Sequence, residues 1–122
     1  MKKIKIKNIL KKKGKTPIVC LTAYSKSVAE ILDKYCDIIL VGDSLGMVLY
    51  GMKSTRNVKL ETMILHCKAV KQFAKKSLVV FDMPYKTYRN PREALKNAKY
   101  IISKTGCEAV KLEGGKNIIK EH

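Results

Sequence analysis

The chain has 122 residues, of which 46% are hydrophobic, which is enough for one domain with a buried core and too apolar for a disordered segment. Its formal net charge of +16 comes mainly from lysine. Only Arg56, Arg89 and Arg92 carry the guanidinium group that favours nucleic-acid recognition, so the charge is weak evidence for that class. No run approaches the roughly 20 apolar residues of a membrane span and no secretory signal is recognisable, so we expect a cytoplasmic protein without a membrane segment.

Residues 1–15 form a lysine-rich leader, which we expect to be solvated and partly frayed. The four cysteines, Cys20, Cys36, Cys67 and Cys107, lie far apart in apolar segments and form no C-x-x-C pair. This spacing predicts reduced thiols that pack in the core, and argues against zinc or a disulfide framework.

After the leader, short apolar runs alternate with segments of helical periodicity. Strands are predicted at 16–24, 37–44, 77–84 and 108–115. Helices are predicted after Ser25, over 59–74 and after Asn90, and residues 116–122 predict the start of another. The predicted buried faces are Val28, Ile31, Leu32 and Tyr35 in the first helix, Leu60, Met63, Ile64, Cys67, Val70 and Ala74 in the second, and Leu95, Ala98, Ile101 and Ile102 in the third.

The third helix has the clearest start and end signals. Asn90 is a good N-cap, Pro91 suits the first helical position, Glu93 lies in the first turn, and Gly106 ends the helix. Strands separated by helices must pair in parallel through right-handed crossovers, so the fold class is α/β. A doubly wound sheet and part of a (β/α)₈ barrel both fit this order of elements.

Three successive predicted strands end in acids: Asp43, Asp82 and Glu113, which are 39 and 31 residues apart. Parallel strands would bring these carboxylates to one edge of the sheet, where barrel enzymes hold their active sites. Three oxygen donors suit a hard cation such as Mg²⁺. Any one acid at a strand end could instead cap the next helix or pair with a surface lysine, so the signal comes from all three together.

Several neighbours of these acids are further candidates. Lys111 shares a strand face with Glu113 and could neutralise it, or hold a substrate carboxylate or a developing oxyanion. Ser44 could cap the following segment or donate a hydrogen bond to a substrate carboxylate. Gly42 and Gly46 would allow the backbone to approach a ligand closely.

Two other residues have simpler explanations. His66 lies beside Cys67 on the second helix, where a structural histidine with satisfied nitrogens is the favoured interpretation. Tyr24 follows the first strand and could reach the predicted site, or could cap the core with its hydroxyl in solvent.

The segments LTAYSKSVAEIL, DIILVGDSLGMVLYGMKSTRNVKLETMILHCKAV, FDMPY and EAVKLEGG resemble the ketopantoate hydroxymethyltransferase family, over about residues 15–119. The resemblance implies a (β/α)₈ TIM barrel of the phosphoenolpyruvate mutase and isocitrate lyase group. Residues 1–122 would be one partial barrel domain, with 16–122 supplying about the first four βα units. It also implies a cytoplasmic, decamer-like homo-oligomer that binds neither nucleic acid nor a membrane.

The resemblance further implies a reaction and a set of roles. The reaction transfers a hydroxymethyl group from 5,10-methylenetetrahydrofolate to 3-methyl-2-oxobutanoate, which gives 2-dehydropantoate for pantothenate biosynthesis. Asp43, Asp82 and Glu113 would bind magnesium. The 2-oxo acid would contact Asp43, Ser44, Asp82 and Lys111.

The chain departs from the family in its length, because members are roughly twice as long, as expected for a barrel of about 250 residues. The family's general-base glutamate lies in the other half, so no catalytic base is assigned here. We therefore also consider an inactive fragment of the enzyme and a basic nucleic-acid-binding module. A half barrel with two unpaired strand edges would be poorly soluble or self-associating.

Overall fold

A computed structural model describes residues 2–55 and 58–113. Its centre is a four-stranded sheet in which β1 (Cys20–Thr22), β2 (Ile38–Val41), β3 (Leu78–Asp82) and β4 (Ala109–Lys111) lie side by side in chain order. Every neighbouring pair is parallel. This confirms the predicted α/β class and all four predicted strands, although each observed strand is shorter than its apolar run. The predicted helix start at 116–122 lies outside the described residues.

Five helices accompany the sheet in the described part of the chain: α1 (Ile6–Lys12), α2 (Lys26–Leu32), α3 (Leu45–Tyr50), α4 (Leu60–Phe73) and α5 (Pro91–Thr105). None of the described helices is long and apolar enough to span a membrane. The core lies between the sheet and α4, which packs against α2 and α5 on either side.

The buried face of α4 is as predicted. Met63, Ile64, Cys67 and Val70 are buried against β2 and β3, and Ala74 follows just after the helix. Four turns of one apolar stripe fix the orientation of this helix, so α4 is the main support of the two central strands.

The faces of the shorter α2 and the longer α5 differ from the prediction. In α2 the buried residue is Ala29 and Leu32 packs against the core as predicted, while Val28, Ile31 and Tyr35 are exposed. In α5 Ile101 is buried and Ala98 packs against the core as predicted, but Leu95 and Ile102 are exposed, and Ala94 and Thr105 are buried. Small side chains let these helices lie close to the core, and several of their larger apolar side chains remain outside.

Two segments are more ordered than the sequence indicated. The basic leader contains helix α1, and it is held to the fold where the backbone N–H of Ile4 donates to the carbonyl of Lys76 at 2.8 Å. Lys12 also forms an ion pair of 2.7 Å with Asp37. The loop predicted after β2 contains helix α3.

The start and end of α5 confirm their signals. Asn90 caps the helix by accepting a hydrogen bond of 2.8 Å from the backbone N–H of Glu93, and Pro91 occupies the first turn. Gly106 ends the helix with a left-handed φ of 73°, which glycine adopts without a Cβ penalty. The chain then enters β4 and delivers its side chains to the sheet edge described next.

Candidate active site

The four predicted acidic and basic residues lie at the carboxyl edge of the sheet. Asp82 is the last residue of β3 and stands in register with Lys111, the last residue of β4. Asp43 follows the end of β2 by two residues, and Glu113 follows β4 by two. Because the strands are parallel and in register, their side chains share one rim, which we call the acidic rim: Asp43, Asp82, Lys111 and Glu113.

Lys111 is the cation of the acidic rim. Its Nζ donates to Asp82 Oδ2 at 3.1 Å and to Glu113 Oε1 at 2.6 Å. The hydrogen bond to Glu113, followed by the one to Asp82, raises the pKa of Lys111 against the opposing effect of its partial burial. The ammonium group therefore stays charged through the neutral range.

The two aspartates of the acidic rim are harder to ionise than isolated carboxyl groups. Burial raises the pKa of Asp82, whose side chain is only 7% exposed, and the charges of Glu113 and Asp43 add to this, while Lys111 opposes it. Burial and the charge of Glu113 also raise the pKa of Asp43, against a hydrogen bond from the Thr55 hydroxyl. A site that raises the pKa of two adjacent acids favours a cation beside them.

The chemistry of the acidic rim fits a divalent metal. Three ionised carboxylates and one ammonium group leave two negative charges in excess, and all the anionic donors are oxygens, which Mg²⁺ prefers. In residues 2–55 and 58–113, no three His, Cys, Asp or Glu side chains are arranged so that they could hold one metal ion. Two of the three acids, Asp82 and Glu113, instead form ion pairs with Lys111. The metal set of Asp43, Asp82 and Glu113 therefore stays a prediction.

Ser44 does not use its hydroxyl to cap α3. It occupies the N-cap position, but its side chain makes no cap hydrogen bond. Its Oγ lies 2.5 Å from the hydroxyl oxygen of Tyr24, which follows β1. A Cβ at Gly42 would stand 3.6 Å from this Oγ and 3.8 Å from Asp82 Oδ2, so both groups face Gly42.

His66 is partnered at both ring nitrogens, as a structural histidine should be. Its Nδ1 lies 2.7 Å from the carbonyl oxygen of Tyr24, and its Nε2 lies 2.8 Å from the Tyr50 hydroxyl. Since a carbonyl only accepts, Nδ1 carries a proton. His66 therefore ties α4 to α3 and to the end of β1.

The second glycine of this segment, Gly46, is required by close packing. A Cβ at this position would stand 2.4 Å from Val58 Cγ2 and 2.9 Å from Met52 Sδ, which is closer than such contacts allow. The glycine lets the chain beyond α3 fold back over the helix. This path places Thr55 against Asp43.

Thr55 and Tyr88 are two neighbours of the acidic rim that the spacing argument missed. Thr55 donates a hydrogen bond to Asp43. The only feature of the sequence that pointed to Thr55 was its place in the long segment that resembles the family. The Tyr88 hydroxyl accepts a hydrogen bond from the backbone N–H of Glu113. Burial raises the pKa of Tyr88, and the charges of Glu113, Asp82 and Asp43 raise it further, so its hydroxyl stays protonated beside the acids.

Comparison with known proteins places the chain in a family. A family model described as ketopantoate hydroxymethyltransferase matches residues 3–122. The chain belongs to this family. The predicted relationship is thereby confirmed, and the four-stranded α/β sheet corresponds to part of the family's TIM barrel.

Curated relatives named 3-methyl-2-oxobutanoate hydroxymethyltransferase support the same assignment. The relative from Pelagibacter ubique is 61% identical over 116 residues, which cover 95% of this chain and 45% of the relative. The relative from Chelativorans is 51% identical over 112 residues, covering 91% of this chain and 40% of the relative. The relative from Anaplasma marginale (strain Florida) is 53% identical over 118 residues, covering 97% and 43%.

This member of the ketopantoate hydroxymethyltransferase family thus spans less than half the length of these relatives. Its family favours an enzyme over the nucleic-acid-binding module considered for its charge. Several lysines are also bound within the fold, because Lys3 and Lys71 pair with Glu108 and Lys12 pairs with Asp37.

Proposed function

We propose that this chain forms the metal- and 2-oxo-acid-binding part of a 3-methyl-2-oxobutanoate hydroxymethyltransferase. The reaction would transfer a hydroxymethyl group from 5,10-methylenetetrahydrofolate to 3-methyl-2-oxobutanoate and give 2-dehydropantoate, a step of pantothenate biosynthesis. The observation that carries the proposal is the meeting of Asp43, Asp82 and Lys111 at one sheet edge in a member of this family.

In this proposal Asp43, Asp82 and Glu113 hold Mg²⁺. Support comes from the excess negative charge of the acidic rim and from the raised pKa of both aspartates, since burial and neighbouring anions destabilise their charged forms. A bound magnesium would supply a Lewis acid for negative charge that develops on the keto oxygen of the substrate. It would also relieve the repulsion between the carboxylates.

Lys111 and Ser44 would bind the carboxylate of the 2-oxo acid, with Asp43 and Asp82 beside it. Lys111 is charged at neutral pH and 43% exposed, so its ammonium group is accessible to an anion from solvent. Ser44 presents a hydroxyl that is not used by its helix. A fixed cation and a fixed donor would orient the substrate and exclude wrong poses.

The remaining parts of the proposal concern the surroundings of this site. We propose the folate as co-substrate and a cytoplasmic homo-oligomer as the working assembly. The four cysteines are free thiols, which fits a reducing compartment. Cys36, Cys67 and Cys107 are buried as predicted, but the prediction was wrong for Cys20, which is exposed on β1. Self-association is supported by the exposed apolar side chains Met47, Val48 and Leu49 on α3.

Binding of 3-methyl-2-oxobutanoate tests the proposal directly, because no general base is assigned in this chain. We expect titration calorimetry to show binding that is strengthened by Mg²⁺, and Asp82→Asn to remove the magnesium effect. Glu30→Gln on the exposed surface of α2 loses the same charge and should bind as the unaltered chain does. Equal magnesium dependence in Asp82→Asn and the unaltered chain, with both folded by circular dichroism, would overturn the site assignment.

A further inference from the structure

The end of β1 also contributes a polar group to the site. Tyr24 follows β1 by two residues, and its hydroxyl oxygen lies 2.5 Å from Ser44 Oγ. With Ser44 after β2, Asp82 on β3 and Lys111 on β4, each of the four strands ends in a group that reaches the same edge. The hydroxyl of Tyr24 is hydrogen-bonded to Ser44, so its effect on a bound substrate would pass through Ser44.

The hydrogen-bonding capacity of a hydroxyl explains what Tyr24 could do for Ser44. A serine hydroxyl has one proton to donate and two lone pairs that accept. If Ser44 donated to Tyr24, it would have no proton left for a substrate carboxylate. A phenol is more acidic than an aliphatic alcohol and is the better donor, so the pair favours Tyr24 donating and Ser44 accepting. The Ser44 proton is then free for another acceptor.

The position of Tyr24 is itself fixed from two sides. Its carbonyl oxygen accepts from His66 Nδ1 at 2.7 Å, and His66 is held in turn by the Tyr50 hydroxyl at 2.8 Å. Its side chain is half-buried and packs against the hydrophobic core. The phenol therefore has little freedom to move away from Ser44.

We infer that Tyr24 is a positioning residue, which donates its hydroxyl proton to Ser44 Oγ and so directs the Ser44 proton toward the carboxylate of a bound 2-oxo acid. This role rests on the proposed function. His66 contributes by holding the Tyr24 backbone. The arrangement favours a hydrogen-bond acceptor such as a carboxylate at this point of the site over a group that can only donate.

The test is a double-mutant cycle on the dissociation constant of 3-methyl-2-oxobutanoate, measured by calorimetry with Mg²⁺ on the full chain. Tyr24→Phe keeps the ring and removes only the hydroxyl, and we expect binding to weaken about 5- to 10-fold. Ser44→Ala should weaken it by a similar factor. If Tyr24 acts through Ser44, then Tyr24→Phe has no further effect in the Ser44→Ala background.

Matched measurements separate positioning from general damage. Tyr35→Phe removes a phenol hydroxyl from a side chain that is 71% exposed near the end of α2, and it should leave binding unchanged. Tyr24→Phe should also keep its thermal unfolding midpoint close to that of the unaltered chain, since it retains the packed ring.

The outcomes distinguish this inference from the function it rests on. Normal binding by Tyr24→Phe, or equal losses from Tyr24→Phe with and without Ser44, would overturn the positioning role and leave the proposed function standing. Absence of binding by the unaltered chain would overturn the proposed function and the role of Tyr24 with it.

Discussion

Asp33, Asp37 and Glu108 differ chemically from the acids of the proposed site. They accept hydrogen bonds from backbone N–H groups, as Asp37 does from Val19 and Glu108 from Val79. Burial alone would raise the pKa of each, but these N–H groups outweigh it and lower the pKa, with help from the Ser77 hydroxyl at Asp33 and from lysine side chains at Asp37 and Glu108. The pKa of Asp43 and Asp82 is raised instead. The direction of the shift therefore separates these three acids from the two aspartates of the site, whereas the hydrogen bond from Lys111 lowers the pKa of Glu113.

Asp33 gives a test of this distinction. Its carboxylate is almost fully buried and accepts from the backbone N–H groups of Lys75, Lys76 and Ser77 at 2.9, 3.0 and 2.7 Å. We expect Asp33→Asn to lower the free energy of unfolding by about 2–3 kcal/mol at pH 7, because the amide cannot accept all these bonds. Urea titration measures this, with Glu30→Gln as the control for loss of charge.

The pH dependence of Asp33 follows from the same contacts. Since its pKa is lower in the folded chain than in the unfolded chain, its stabilisation is present above the unfolded pKa near 3.9 and is lost as the pH falls through the folded pKa. The difference in unfolding free energy between Asp33→Asn and the unaltered chain should therefore shrink toward acid pH. A difference that stayed constant between pH 7 and pH 3 would contradict this explanation.

The sequence predicted which residues meet at the acidic rim because the position of a residue at a strand end and the strand face it occupies are local properties. Asp82 and Lys111 end adjacent strands, and two-residue periodicity placed Lys111 and Glu113 together. The contacts of Thr55 and Tyr88 depend instead on the path of the chain between elements. No local pattern encodes that path, so these residues were missed.

The helix ends give a comparison at the scale of elements. Asn90 and Ser25 were both predicted as N-caps, yet only Asn90 accepts a hydrogen bond through its side chain. We expect Asn90→Ala to lower the free energy of unfolding by about 1 kcal/mol, and Ser25→Ala to change it by much less. Chemical denaturation of both variants measures the difference. Equal losses would show that backbone conformation at the cap, rather than the side-chain bond, is what matters.

Helix length contributes to how well periodicity predicted each buried face, although the face of the 15-residue α5 was predicted only in part. The 14 residues of α4 repeat one apolar stripe over four turns, and its prediction was correct. The seven residues of α2 contain too few repeats to choose between faces. There the burial of Asp33 decides the orientation, because its three backbone donors lie just after α4. A polar residue with a long-range partner thus overrides the apolar pattern.

At the scale of the whole molecule, the sheet has an apolar edge at β1. In the part of the chain that the structure describes, β1 pairs only with β2 and β4 pairs only with β3. All three residues of β1 are exposed, including Leu21 at 46%, and Ile18 and Val19 before it are 40% and 42% exposed. The relatives are more than twice as long as the matched segment, so their remaining residues are available to cover such edges.

An exposed apolar strand edge favours pairing with another chain. We therefore expect a polypeptide of residues 1–122 to self-associate through β1, with a sedimentation coefficient that rises with protein concentration. Added salt should strengthen association, since it screens the repulsion between chains of net charge +16. Leu21→Lys should weaken it, because a lysine on an edge strand opposes pairing with a second basic chain.

Leu95→Lys is the control that separates an effect of the β1 edge from an effect of the added charge. Leu95 lies on the outer face of α5 and is 57% exposed, so this variant makes the same substitution and the same change in charge away from β1. If strand pairing drives association, Leu21→Lys reduces the sedimentation coefficient at high concentration and Leu95→Lys does not. An equal reduction by both would mean that general apolar exposure or net charge, rather than the β1 edge, controls association.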